Sequence, residues 1–461
     1  MKTKNLIPEN TISQRSAAKS LAFSALLAMT PLAMQAQADT ELLGSSLTPV
    51  GAEKAGNTDG TIPEWNGGLL PDQGVLQSDG SMDNPFKNDA VQFTITAKNL
   101  DKYRDRLSDG QIAMFERHPD TYKMNVYPTR RSASYPEAYY QATKTNPEKV
   151  QLTDNGNGLN QLANGVPFPT PTTGIEVIWN HMLRYRGDSI TLPLSQVVAE
   201  TSGRYKEVTK ETVWHFAPSI TDAGDNKNLL FFYKSKVLSP VRLAGEVTLV
   251  HEPINQVEEP RRAWKYLPGQ RRVRRAPNVA YDNPASGTDN LKTADNSDMF
   301  NGAPDRYEWT LIGKKELYIP YNSYALYDKN LTNDDIIRPG HINPDLVRYE
   351  LHRVWEVEAT LKEGERHVYS KRTFYVDEDT WQASIVDHYD SRNQLWRMGE
   401  AHAIQYNPKQ VPWLVNEVFY DLNSGRYVTN GLANAIKEPL EFGVMASKSD
   451  YTPAAIRRWG K

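Results

Sequence analysis

The densest chemistry in the chain is a run of arginines. The stretch WKYLPGQRRVRR, residues 264–275, carries Arg271, Arg272, Arg274 and Arg275. With Arg261, Arg262 and Lys265, seven cations fall within fifteen residues. A planar guanidinium suits phosphate or carboxylate, which it binds through two parallel hydrogen bonds. In an extended strand, Arg271, Val273 and Arg275 share one side, and Arg272 and Arg274 the other. Arginine on both sides places this strand at an edge or rim. There it either pairs with Glu258 and Glu259 or meets an anionic headgroup or partner surface. Leu267-Pro268-Gly269-Gln270 suits a type II turn, with Gly269 in the left-handed position.

Other reactive groups are dispersed. The chain has no G-x-S-x-G elbow, H-E-x-x-H helix, phosphate loop or dinucleotide glycine fingerprint. None of its nine histidines is paired at metal-ligand spacing. Asp387-His388-Tyr389-Asp390 is the densest mixed cluster, next to an expected turn. Glu356 and Glu358 could act as acid and base on a glycan, but strand alternation alone accounts for them. The expectation is a protein that is not an enzyme, with no catalytic residues, no metal and no cofactor.

The compartment follows from the first residues. Lys2, Lys4, Arg15 and Lys19 precede an apolar run over 21–34, and Ala36-Gln37-Ala38 offers small residues for cleavage. This is the pattern of a secretory signal over residues 1–38. The apolar run is shorter than the ~20 residues needed to span a bilayer. The expected location is the periplasm, as a soluble protein. There is no cysteine, so disulfides, thiolate metal sites and lipid attachment to an N-terminal cysteine are excluded. The whole chain has net charge −3, and removing the basic leader makes it more acidic. Nucleic acid is therefore not an expected partner.

The elements that must position these groups divide the chain. Residues 39–164 are rich in Pro, Gly and Asn and read as an irregular segment packing on the main domain, 165–461. Leu100, Tyr103 and Leu107 have helical spacing. Ser108 can cap a helix holding Ile112, Met114 and Phe115. Pro136 suits a helix start. Thr173 and Glu176 form a capping box, after which Ile175, Ile178, Trp179, Met182 and Leu183 make one broad apolar face. From about Ser189 the period becomes two. Over 347–361 the odd positions are apolar except Arg353, and the even positions, including Glu350, His352, Glu356 and Glu358, read as a wet face. Further strands are expected over 229–237, 241–250, 367–376, 381–389, 394–404, 413–420 and 426–428, and a short helix after Thr452-Pro453. The fold class is α+β, predominantly antiparallel, a curved sheet wrapped around one apolar helix.

WKYLPGQRRVRR followed by Ser297-Asp298-Met299-Phe300-Asn301-Gly302 resembles the hairpin and loop of the LolA/LolB-like superfamily of lipoprotein carriers. The Met-Phe-Asn-Gly order departs from the usual loop. Residues 47–56, the stretch Asn125-Val126-Tyr127-Pro128-Thr129-Arg130-Arg131, and 174–187 resemble a numbered domain-of-unknown-function family of Gram-negative bacteria, labelled outer-membrane lipoprotein-sorting-like. The resemblance implies an incomplete β-barrel with an apolar surface for acyl chains. It also implies an RND-type inner-membrane transporter and an outer-membrane protein as partners.

The reading is a periplasmic carrier of a lipid or other hydrophobic cargo, acting without chemistry. Ile175, Ile178, Trp179, Met182, Leu183, Trp264 and Tyr266 are the candidate ligand contacts, and Arg271, Arg272, Arg274 and Arg275 the candidate headgroup or partner contacts. A non-carrying adaptor of an envelope transport complex and a periplasmic hydrolase are the alternatives.

Overall fold

The computed structural model describes residues 40–461 except 75, 78–80, 162–163, 225, 277–280, 435 and 437–439. The expected signal segment, 1–38, lies outside the described residues. The first strands are β1 (Phe93–Ile95), β2 (Met124–Val126), β3 (Leu152–Thr153) and β4 (Gly158–Leu159). A first meander holds β5 (Ser189–Ala199), β6 (Tyr205–Phe216), β7 (Leu229–Ser239), β8 (Val247–Pro253), β9 (Arg262–Leu267) and β10 (Arg272–Arg275). A second holds β11 (Tyr307–Pro320), β12 (Tyr349–Leu361), β13 (Lys371–Asp377), β14 (Ala383–Tyr389), β15 (Leu395–Tyr406), β16 (Val411–Asp421), β17 (Tyr427–Leu432) and β18 (Glu441–Phe442). The helices are α1 (Asp109–Arg117), α2 (Glu137–Lys149), α3 (Gly174–Leu183), α4 (Asn333–Ile336) and α5 (Pro453–Trp459).

The two meanders join where β17 pairs with β5, giving one curved, unclosed antiparallel sheet from β11 to β10. Residues 241–246 are a loop, so β8 begins later than its sequence suggests. Cross-strand register sorts the side chains. Val357, Phe374, Val386, Phe419, Val428 and Val198 share one face. Thr373, Asp387, Met398, Tyr420, Tyr427 and Ala199 share the other.

Helix α3 packs on the first face. The Glu176 carboxylate accepts the Thr172 and Thr173 N–H groups at its start, at 2.6 and 3.0 Å. Val177, Ile178, Trp179, Met182 and Leu183 are buried, among Val357, Phe374, Trp381 and Phe419. A helix enclosed on every side belongs inside a protein, and its polar groups must be satisfied there. Asn180 closes a two-way bond with the Phe168 backbone at 2.7 and 2.9 Å. The His181 ring accepts the Ala383 N–H at Nδ1, 3.0 Å, and donates from Nε2 to the Asp298 carbonyl, 3.0 Å.

The second face is not wet. Helix α1 lies on it, with Met114 and Phe115 buried against Met398 and Val418. Ser108 caps α1 and also donates to Asp387. Leu100 begins the first of two short 3-10 turns and Tyr103 lies between them, so no helix forms there. The even positions Glu350 and His352 of β12, expected in water, are fully buried, because the N-terminal segment covers them. The Arg130 N–H donates to Glu350 at 2.6 Å.

Arg131 holds that segment down. Its Nε and one terminal nitrogen bond both oxygens of Asp379, at 2.8 and 2.7 Å. Its remaining donors reach the Glu53 and Lys54 carbonyls at 2.8 and 3.1 Å. Both side chains are almost wholly buried. Removing one partner of a buried pair strands the other charge, at a cost of about 3–5 kcal/mol. Arg131→Ala should therefore lower the urea-unfolding free energy by about 3–5 kcal/mol. A change below about 1 kcal/mol, the range of exposed pairs, would contradict this account.

Candidate functional site

The predicted contacts separate into two places. Ile175, Ile178, Trp179, Met182 and Leu183 lie in the core around α3, Ile175 only partly buried. Trp179 donates to the Gly156 carbonyl at 2.9 Å, and Arg184 and Arg186 clamp Asp298 beneath the helix end. Burial raises the Asp298 carboxyl, but the two guanidiniums outweigh it and hold it well below the usual range. Burial drops His181 to about 3, so its ring stays neutral. Trp264 and Tyr266 are elsewhere. They pack with Val247, Leu249, Tyr451 and Ile456 under α5, on the sheet face opposite α3.

The arginine hairpin is the free edge of the sheet, and Arg271, Arg272, Arg274 and Arg275 are exposed. Its turn is not type II. Pro268–Gln270 forms a 3-10 turn, and Arg271, not Gly269, takes the left-handed conformation, φ 52°. Arg262 reaches Glu259 at 2.9 Å. Among the described residues the four arginines of the edge form no ion pair.

Register places part of this edge on the α3 face. Arg272 and Arg274 align with Leu267 and Lys265, and Lys265 aligns with Thr248. Across β6 and β7 the same face carries Val208, Lys210, Thr212, Trp214, Tyr233, Ser235 and Val237, followed by Thr248 and Val250 on β8. The apolar members are only half-buried. Trp214 packs on Tyr233 with ring centroids 4.8 Å apart. Lys210 donates to Gln196 at 3.0 Å. Burial, with Lys292 and Lys265 close by, lowers its ammonium to about 8. Lys265 has Glu246 at 3.7 Å and Ser286 at 3.4 Å. The loop around Ser286 crosses this face, and Gln196 donates to the Gly287 carbonyl at 2.6 Å. The result is a partly open apolar strip edged by cations. Sequence reading missed Val208, Lys210, Trp214 and Tyr233, because β6 mixes polar and apolar residues on both sides and shows no clean period.

Several buried ionisable groups remain. His352, Asp377 and Asp379 offer ligand atoms within 4.8 Å of one another. Both Asp379 oxygens are held by Arg131, and His352 Nε2 is 3.2 Å from Glu350. The group is therefore an ion network more than a metal cage. Burial pushes Asp377 up to about 7, while the Glu350 and Asp377 carboxylates outweigh burial at His352 and raise it. Glu356 and Glu358 face Lys315 and Lys371 across the strands, at 4.0 and 3.3 Å. Asp387 and His388 are fully buried, not at a turn surface. An open cleft of about 480 Å³ near Arg353 is lined by Glu53, Asn57, Asp59 and Glu316 and is mostly polar.

No helix among the described residues is long and apolar enough to cross a membrane. The family model described as "Protein of unknown function (DUF1329)" matches residues 94–457. An uncharacterized protein of Pseudomonas aeruginosa is 53% identical over 449 residues, 96% of this chain and 99% of its own. The chain belongs to the DUF1329 family. A DUF1329 family protein from Desulfovibrio piger is similar in structure, with TM-score 0.40 and 16% identity, covering 59% of this chain and 92% of that one. A putative outer membrane lipoprotein-sorting protein domain from Vibrio parahaemolyticus gives 0.43 and 14%, covering 62% and 98%. A LolA superfamily protein from Nitrosomonas europaea gives 0.37 and 11%, covering 61% and 98%.

Asp387 and Glu400 lie on the α1 face, and burial pushes each up to about 7. Glu400 accepts from Gln111 at 3.4 Å and Tyr349 at 3.2 Å. A carboxyl raised in the folded state binds its proton more tightly there than in the unfolded chain, where it titrates near 4. Its stabilising contribution is full below that value and is lost as pH rises to about 7. Between pH 5 and 8, wild type should lose unfolding free energy relative to Glu400→Gln. Parallel curves in urea titrations at both pH values would refute the assignment.

Proposed function

We propose that this DUF1329 protein is an envelope binding protein that holds an anionic amphiphile, such as a lipid, without covalent chemistry. The observation that carries this is the cation-edged apolar strip on the α3 face of β6–β10. A ligand chain laid along Val208, Trp214, Tyr233, Val237 and Val250 would gain about 0.8 kcal/mol per methylene removed from water. Its charged end would meet Lys210, Arg272 or Arg274, which form no ion pair among the described residues, or Lys265, which Glu246 approaches at 3.7 Å. The half of the face under α3 is closed by the protein's own side chains, so the ligand is placed beside the helix and not beneath it.

A second reading has its own observation. Trp179, Trp381, Phe374 and Phe419 fill the sheet beneath α3. A face already filled suits an adaptor, docked to an RND-type transporter or outer-membrane protein and holding no cargo.

Native mass spectrometry with palmitoyl lysophosphatidylglycerol separates the two. A one-to-one adduct is expected. The double variant Lys210→Glu/Arg274→Glu should weaken it about tenfold, about 1.4 kcal/mol, with circular dichroism confirming the fold. Arg274→Glu alone, at an exposed position, should give part of that loss. No adduct at any concentration, or one indifferent to these variants, would remove the carrier reading and leave the adaptor.

A further inference from the structure

We infer that the β7–β8 and β9–β10 hairpin tips together dock the protein on an anionic lipid bilayer. Val241, in the β7–β8 loop, is 93% exposed, and Leu238 at the end of β7 is 44% exposed. Single exposed apolar residues are ordinary. These two are not alone at their end of the molecule. A Cβ built on Gly245 would stand 3.5 Å from the Pro268 side chain and 2.9 Å from the Gly460 carbonyl. The two hairpin tips and the C-terminal end of α5 are therefore neighbours.

Cations surround that apolar tip. Arg242 follows Val241 directly and is exposed. Arg271 and Arg272 flank the Pro268–Gln270 turn. Arg458 and Lys461 sit at the end of α5, also exposed. Among the described residues these five form no ion pair. In a chain whose overall charge is −3, this end is a local reversal of sign.

An apolar tip ringed by unpaired cations fits a membrane surface on both counts. The aliphatic side chains enter the headgroup boundary while the guanidiniums meet lipid phosphates. An acidic protein surface would satisfy the cations, but it gives Val241 and Leu238 no apolar environment. Docking by this end would also bring the open edge of the β6–β10 strip to the lipid. The docking itself does not rest on the ligand reading, since of its residues only Arg272 also borders the strip.

Co-sedimentation tests it, using vesicles of phosphatidylglycerol with phosphatidylethanolamine against pure phosphatidylcholine. Binding is expected to the anionic vesicles only, falling as salt screens the charges. Val241→Asp should weaken it about tenfold, and Arg271→Glu/Arg272→Glu should abolish it. All three positions are exposed, so unchanged thermal unfolding is expected. Lys210→Glu should bind vesicles as wild type does, which separates failure here from failure of the ligand proposal. No binding to anionic vesicles, or equal binding by Val241→Asp, would overturn the inference. Salt-sensitive capture on an acidic protein without vesicle binding would assign the cations to a protein partner instead.

Discussion

The structure depends on keeping an irregular segment in one place. Residues 40–160 have few strands and short helices, yet they cover a sheet face that would otherwise lie in water. Apolar contact alone is non-directional and would let such a segment slide. Arg131 supplies direction. Its fork is matched by both oxygens of Asp379, and its spare donors take up the Glu53 and Lys54 carbonyls. Arg348 repeats the device, bonding Glu350, Asp89 and the Pro128 carbonyl. Trp381 adds a bond to the Val50 carbonyl at 3.0 Å.

Covering that face has an electrostatic consequence. Carboxylates and imidazoles that alternation would leave in water become buried. They must then pair, as Glu350 does, or move toward neutrality, as Asp387 and Glu400 do. Burial beneath the covering segment thus accounts for the raised Asp387 and Glu400 carboxyls. Perturbed titration marks many active sites, but here Asp387 is held by Ser108 and the Gly110 N–H, and Glu400 by Gln111 and Tyr349.

Some of this was legible in sequence and some was not. The α3 helix was readable because its cap and apolar face are local, as was the second meander from β12 to β17, because period-two alternation and turn residues are local too; β11 and β18 were not read. The burial of Glu350 and His352 was hidden, since it depends on residues more than 200 positions away. The pair Arg130-Arg131 was visible only as part of a resembling stretch, with no hint of Asp379 as its partner. The hairpin turn misled for a simpler reason. Pro-Gly favours type II in isolation, but the strand register here needs its left-handed residue one step before β10, at Arg271. The strip on β6–β10 was the least legible. Its side chains share a face only through four successive registers, each set by long-range pairing.

The two halves of the α3 face follow from where the chain spends its coverings. Between β12 and β5, α3 closes the face with a helix enclosed on every side. At β6–β10 the opposite face receives α5, with Tyr451 and Ile456 buried against Phe232, Val247 and Tyr266. Among the described residues the α3 face there receives the loop around Ser286. A sheet needs one well-packed face to be stable, and α5 provides it for these strands. The other face is then free to remain partly open without loss of the fold. Its cations and half-buried aromatic pair are tolerated for the same reason. A surface that contributes little to stability is where binding can be placed without competing with the core.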